Sequence, residues 1–257
     1  MAGVTDIEPR TRTENLRTWK RERRYYRLVL CLALDTSTPG GSCAVTRDGA
    51  VIRESVGDRE CPHDSRLPGD LIALLEGARI ALADIELYAV ATGPGSFTGL
   101  RIGIATMQGL AFAAGRPLIG VSGFDALAQI ASRNAVKAPA VATWVDAWRG
   151  DVFAARYRHD VQIDPPTVEK PAALLARITG STLFIGDAVP AYADLIRRTL
   201  GDRALFADPP APALAATIAH IATGTARTGK RPDPDDIRPL YIRRPDAELA
   251  RDARPVR

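Results

Sequence analysis

An α/β protein of two related lobes, with mixed sheets flanked by helices and the second lobe abbreviated, is the fold class predicted by these 257 residues. Three observations lead there. Strand-length apolar runs and helix-period stretches follow one another through the first half in the order βββαβαβα. That half opens on a strand ending in Asp35 and a polar turn, and a strand ending in Asp146 opens the second half in the same way. A glycine turn, Gly93-Pro94-Gly95-Ser96-Phe97-Thr98-Gly99, joins a strand to a long helix in between.

Folding begins at Leu28 after a basic extension, 1–27. Leu28 to Leu34 is a continuous apolar run, as a strand buried on both faces requires, and it ends in Asp35-Thr36-Ser37-Thr38-Pro39-Gly40-Gly41. Ser42 to Thr46 and Ala50 to Val56 read as strands joined by the hairpin turn Arg47-Asp48-Gly49. Leu67, Leu71, Leu74 and Ala78 recur at helical spacing within Asp64 to Ala81. A strand at Leu87 to Ala91, a helix from the glycine turn to Ala114 and a strand at Leu118 to Val121 follow. Ser122 then caps a helix to about Arg133. The second lobe spans 136–245, with a tail from 246. It reads as strands at Val141 to Val145 and Asp151 to Tyr157, a helix over Ala172 to Ile178 and a strand ending Phe184-Ile185-Gly186-Asp187. Helices at Ala191 to Leu200 and Ala211 to Thr223 come next, then a short strand at Leu240-Tyr241-Ile242. Three hairpin-linked strands followed by alternating helices and strands is the pattern of one lobe of the actin and Hsp70-like ATPases, an RNase H-like arrangement.

Composition is that of an ordinary globular protein, 46% hydrophobic and 25% charged. No apolar run reaches the roughly 18 residues of a membrane span. The extension lacks the apolar core of a secretory signal. Residues 1–28 hold eight basic and four acidic side chains, which accounts for the whole net charge of +4. The body is therefore no polycation, and bulk attraction to nucleic acid would come from the extension or from local patches. Cys31, Cys43 and Cys61 form no C-x-x-C pair and read as free thiols of a reducing cytoplasm.

The glycine turn fails three enzymatic templates on spacing. No Lys follows Gly99, as a nucleoside-triphosphate loop requires. Gly93, Gly95 and Gly99 are one residue too far apart for a dinucleotide fingerprint. Ser96 has Pro94 and Thr98 where a nucleophile elbow needs glycines. His63, His159 and His220 offer no i, i+4 pair for a metal, so no catalytic residue and no metal site is assigned. The helix carries its own information. Gly99, Gly103, Thr106, Leu110, Ala113 and Ala114 share a face, and each interior glycine costs about 1 kcal/mol against alanine. Ile104, Ala105 and Phe112 make the far side apolar too. Two readings stay open: a helix buried on all sides, or one completed by a partner.

Asp35-Thr36-Ser37-Thr38, the run GPGSFTGLRIG from Gly93 to Gly103, and Val145-Asp146-Ala147-Trp148-Arg149-Gly150-Asp151-Val152 occur in that order. Over about residues 28 to 245 the chain resembles the bacterial TsaB (YeaZ) family, paralogues of the transferase TsaD. The resemblance implies an actin-like two-lobed fold and a role in forming N6-threonylcarbamoyladenosine at adenosine 37 of tRNA (t6A). It implies that TsaD carries the transfer and that this chain is a non-catalytic partner pairing with it through first-lobe helices. TsaE is a further, ATP-hydrolysing partner. ATP and Mg²⁺ are used by the assembled complex, tRNA is met through that complex, and the chain pairs with itself when alone. The interface residues so implied are Leu67, Leu71, Leu75, Gly99, Arg101, Gly103, Thr106 and Leu110. Gly93, Pro94, Gly95, Ser96, Phe97 and Thr98 form a structural glycine turn. In active members of the superfamily, Asp at the first strand end of each lobe holds a metal–phosphate complex. Asp35, Thr36, Ser37, Asp146, Gly186 and Asp187 would be a vestige of that site. The alternatives are an independent actin-fold ATPase or small-molecule kinase using Asp35 and Asp146, and a self-associating scaffold.

Overall fold

The computed structural model describes residues 29–134, 136–229 and 233–243. The first sheet contains β1 (Leu30–Asp35), β2 (Ser42–Arg47), β3 (Ala50–Val56), β4 (Leu87–Gly93) and β5 (Leu118–Ser122). Their order is β3-β2-β1-β4-β5, antiparallel across β1–β2–β3 and parallel across β1–β4–β5. The second sheet contains β6 (Ala140–Asp146), β7 (Val152–Arg158), β8 (Val161–Gln162), β9 (Thr167–Glu169), β10 (Thr182–Ile185) and β11 (Ala204–Phe206). Read from its far edge it runs β8-β7-β6-β10-β11, with β9 also on β7. The two sheets thus share one topology, with the third strand of the second broken into two short pieces. The mixed-sheet, two-lobed fold expected from the sequence is present.

Among the described residues six helices fill the layers around the sheets: α1 (His63–Ala78), α2 (Phe97–Ala114), α3 (Gly123–Arg133), α4 (Pro171–Ala176), α5 (Val189–Leu200) and α6 (Ala215–Arg227). Leu67, Leu71, Leu74, Ile104 and Met107 lay α1 and α2 on Leu32, Leu34 and Val90, on the outer face of the first sheet. Phe124, Leu127, Ile218 and Ala222 put α3 and α6 between the sheets, against Ala33 and Ala89 on one side and Val145 and Ile185 on the other. Leu174, Leu175 and Ile196 pack α4 and α5 on Trp144 and Phe184, outside the second sheet. Five layers result. The continuous apolar runs of β1 and β4 follow, because both faces of those strands are covered.

Several elements depart from the sequence expectation. Helix α6 starts at Ala215 rather than Ala211, since Pro212 steers the residue before it away from helical dihedrals. The start it adopts is fixed from far away. Ser42 Oγ accepts the Leu214 and Ala215 amides at 3.2 and 3.0 Å, and Glu54 Oε1 accepts Ala216 N at 2.9 Å. Consequently α6, expected within a lobe of 136–245, packs on the sheet of the first lobe. Leu240 to Ile242 forms no strand. Leu240 N reaches Thr92 O at 2.7 Å, but Pro239 has no amide to continue a ladder and Tyr241 turns towards α2. The expected extension at 1–27 and tail at 246–257 lie outside the described residues.

Candidate functional site

The strand-end carboxylates meet at the cleft between the lobes. A cavity of about 120 Å³ there is lined by Asp35, Ser37, Pro94, Gly123, Asp187 and Leu214, among others. Each carboxylate is committed to the chain's own backbone. Asp35 Oδ1 accepts Ser37 N at 2.8 Å, Asp146 Oδ1 accepts Trp148 N at 3.0 Å, and Asp187 Oδ1 accepts Asp146 N at 3.0 Å. Gly186 must be glycine, because at φ 127° a Cβ would strike the Trp144 carbonyl. Burial pushes the Asp35 carboxyl above its ordinary range. Asp187 is raised first by burial and further by the charges of Asp146 and Asp35. The cavity is smaller than the roughly 300–1,000 Å³ usual for small-molecule sites. Among the described residues no group of three or more His, Cys, Asp or Glu is placed to hold a metal. The donor set does not fit a metal–nucleotide complex.

The raised value at Asp187 has a consequence for stability. A carboxyl whose folded pKa lies above its unfolded one contributes stability below the unfolded value and loses it as pH rises through the folded value. Asp187→Asn keeps an acceptor for Asp146 N and removes the buried charge. Its Tm is expected to exceed the parent's by a few degrees at about pH 7, the gap closing towards about pH 3. Thermal melts across that range check this; a variant less stable at neutral pH would contradict it.

The glycine turn closes the cleft from the first lobe. Gly93 has φ 104°, and a Cβ on it would lie 2.8 Å from Leu100 Cδ1. Ser96 N donates to Ser37 O at 2.8 Å, and Ser96 Oγ caps α2 through Gly99 N at 3.2 Å. His63, at the start of α1, reaches Thr38 O through Nε2 at 2.9 Å and so braces the Asp35–Gly41 loop. The turn and that loop form one unit.

This unit reverses the assignment of faces on α2. A Cβ at Gly99 would collide with Thr36 O, and one at Gly103 with Thr36 Oγ1. Both glycines are buried beneath their own chain, so they make room for the Thr36 loop and not for a partner helix. Leu67, Leu71 and Leu75 likewise face the core. Thr106 and Leu110 are half-buried. Arg101 is exposed but engaged, its guanidinium 3.8 Å from the Phe97 ring centroid and its Nε 3.1 Å from Tyr241 Oη. Helix α2 is nevertheless not buried all round. Its open side carries Ala105, Gly109 and Phe112, the last 82% exposed, and α1 presents Gly69, Ile72 and Ala73. A Cβ at Gly69 or Gly109 would meet no atom within 4 Å. Gly69, Ile72 and Ala73 were missed, and Ala105 and Phe112 were read as an apolar far side but not as the exposed one, because apolar periodicity marks both sides of such a helix and does not say which one the sheet takes.

Comparison with known proteins bears on this arrangement. The family model for TsaD, tRNA N6-adenosine threonylcarbamoyltransferase, matches residues 60–225. The tRNA threonylcarbamoyladenosine biosynthesis protein TsaB of Escherichia coli is 35% identical over 174 residues, 64% of this chain and 74% of that protein. The TsaB of Bacillus subtilis is 26% identical over 84% of this chain and 95% of its own length. The solved structure of YeaZ from Pseudomonas aeruginosa superposes with a TM-score of 0.65 at 29% identity, covering 83% of this chain and 99% of that one.

Proposed function

Because the chain belongs to the TsaB (YeaZ) family, whose role lies in t6A biosynthesis, we propose that it is a non-catalytic subunit that binds and supports TsaD. The carrying observation is the outward face of α1 and α2. Two large apolar side chains, Ile72 at 57% and Phe112 at 82% exposure, stand among Gly69, Ala73, Ala105 and Gly109. Small residues permit close approach of another helix, and isolated large ones serve as anchors. The partner is therefore met on the same first-lobe helices as the resemblance implies, but on their opposite sides. The same face serves a homodimer when TsaD is absent.

The state of the cleft supports the non-catalytic part. Carboxylates that hold backbone turns leave ATP and Mg²⁺ to the assembled complex, where TsaE is the hydrolysing partner and tRNA is met. That work belongs in the cytoplasm. Among the described residues no helix is long and apolar enough to cross a membrane. Light scattering on this chain mixed with TsaD tests the pairing: a mass equal to the sum of the two subunits is expected. Two unmixed species would overturn the proposal. Micromolar Mg-ATP binding to the isolated chain, abolished by Asp35→Ala, would favour the ATPase or kinase alternative.

A further inference from the structure

The segment around Leu240 to Ile242 forms no ladder, yet it is held from both lobes. Gln108 Nε2 donates to Pro234 O at 2.7 Å, Ile237 is buried in the outer core of the first lobe, and Leu240 N reaches Thr92 O at 2.7 Å. Further on, Arg243 donates to Ala147 O at 3.1 Å and pairs with Asp151 of the second lobe. Tyr241 lies between these anchors and is thereby set at the N-terminal end of α2. Its ring centroid is 5.4 Å from that of Phe97, with the planes tilted by 32°, and its Oη accepts Arg101 Nε at 3.1 Å. Both rings stay partly exposed, at 37% for Phe97 and 42% for Tyr241.

What this arrangement fixes is a guanidinium. With its carbon 3.8 Å from the Phe97 centroid and its Nε on Tyr241, the Arg101 head group has its plane and its reach set before anything binds. Its two terminal nitrogens are uncommitted: among the described residues they meet no hydrogen-bond acceptor, and no carboxylate pairs with the side chain. The acidic groups on the elements around it are Asp64 and Asp70 on α1 and Asp233, Asp235 and Asp236 in the C-terminal segment. Asp70 is paired with Arg66, Asp64 accepts the Ser65 hydroxyl at 3.1 Å, and none of the five contacts Arg101. Arg66, Arg156 and Arg243, by contrast, each hold a carboxylate of this chain.

Phe97, Arg101, Ala105 and Phe112 lie along one exposed side of α2. Arg101 is about 16 Å from Phe112 along the helix. An interface of ordinary size, about 800 Å² a side and anchored on Phe112, extends that far. A guanidinium covered there without an anion loses its hydration and gains nothing in exchange. Resting on the TsaD-binding face proposed above, we infer that Arg101 receives a carboxylate of TsaD, an Asp or Glu side chain gripped by its two terminal nitrogens, and that Tyr241 is the positioning residue that aims it.

Titration calorimetry of the full chain against TsaD, without RNA, reads this contact. Arg101→Gln removes the charge from an exposed side chain, so the variant should melt within a few degrees of the parent while binding TsaD roughly tenfold or more weakly. The weakening of affinity by added salt should be smaller in this variant than in the parent. Arg101→Lys keeps the charge but not the fork, and should fall between the two. Tyr241→Phe keeps the ring and removes only the hydroxyl. It should weaken binding several-fold in the parent and leave it unchanged in an Arg101→Gln background, a non-additivity that a merely structural role does not produce. Parent-like affinity and salt dependence in Arg101→Gln overturn the inference, and the Phe112 face stands if Phe112→Asp still abolishes binding. Equal losses from Tyr241→Phe in both backgrounds overturn the positioning role. A parent chain that does not bind TsaD overturns the proposed function and this contact with it.

Discussion

Phe112→Asp should abolish association with TsaD while leaving the protein's melting temperature unchanged. The ring is 82% exposed, so the folded chain gains almost nothing from it and loses almost nothing when it goes. In a complex the same ring would be desolvated near the centre of the interface, where truncation of an aromatic anchor costs about 2–4 kcal/mol, or roughly 30- to 1,000-fold in affinity. A buried, unpaired carboxylate adds to that cost. Ile72→Asp on α1 should behave in the same way. Titration calorimetry against TsaD, with a thermal melt of each variant, separates the two effects. Parent-like affinity in both variants would remove the outward face as the interface.

Gly103→Leu is expected to do the reverse, damaging the fold before any association is measured. A side chain at this position meets Thr36 Oγ1 immediately, in a loop already tied to the glycine turn through Ser37 and Ser96. Overpacking of this kind costs about 3 kcal/mol. For a chain of this size that lowers Tm by roughly 6–12 °C. Gly103→Ala should be milder, and combining it with Thr36→Ala, which removes the obstructing hydroxyl and methyl, should recover most of the stability. Equal stability of Gly103→Leu and parent would show that the loop yields freely.

These two residues also mark how far the sequence can be read. The glycine turn and the long helix behind it were legible, since punctuation and periodicity are local properties, although the capping role of Ser96 was not read. So was the repetition of a strand ending in Asp, and the two sheets carry it in the same strand order. The orientation of α2 was not legible. Gly103 and Gly109 look alike in sequence, yet one lies under Thr36 and the other faces open space. Only the tertiary position of the Asp35–Gly41 loop distinguishes them. The start of α6 escaped for a related reason: its caps, Ser42 and Glu54, lie more than 160 residues upstream. Asp187 was recognisable as a strand-end carboxylate, but its bond to Asp146 N requires β6 and β10 to be neighbours.

The most direct test of a supporting, non-catalytic role is threonylcarbamoyl transfer to unmodified tRNA, reconstituted with TsaD and TsaE in the presence and absence of this chain. Transfer should require the chain, proceed normally with Asp35→Asn, and fail with Phe112→Asp. Full activity without the chain, or turnover by the chain alone, would contradict the role proposed here.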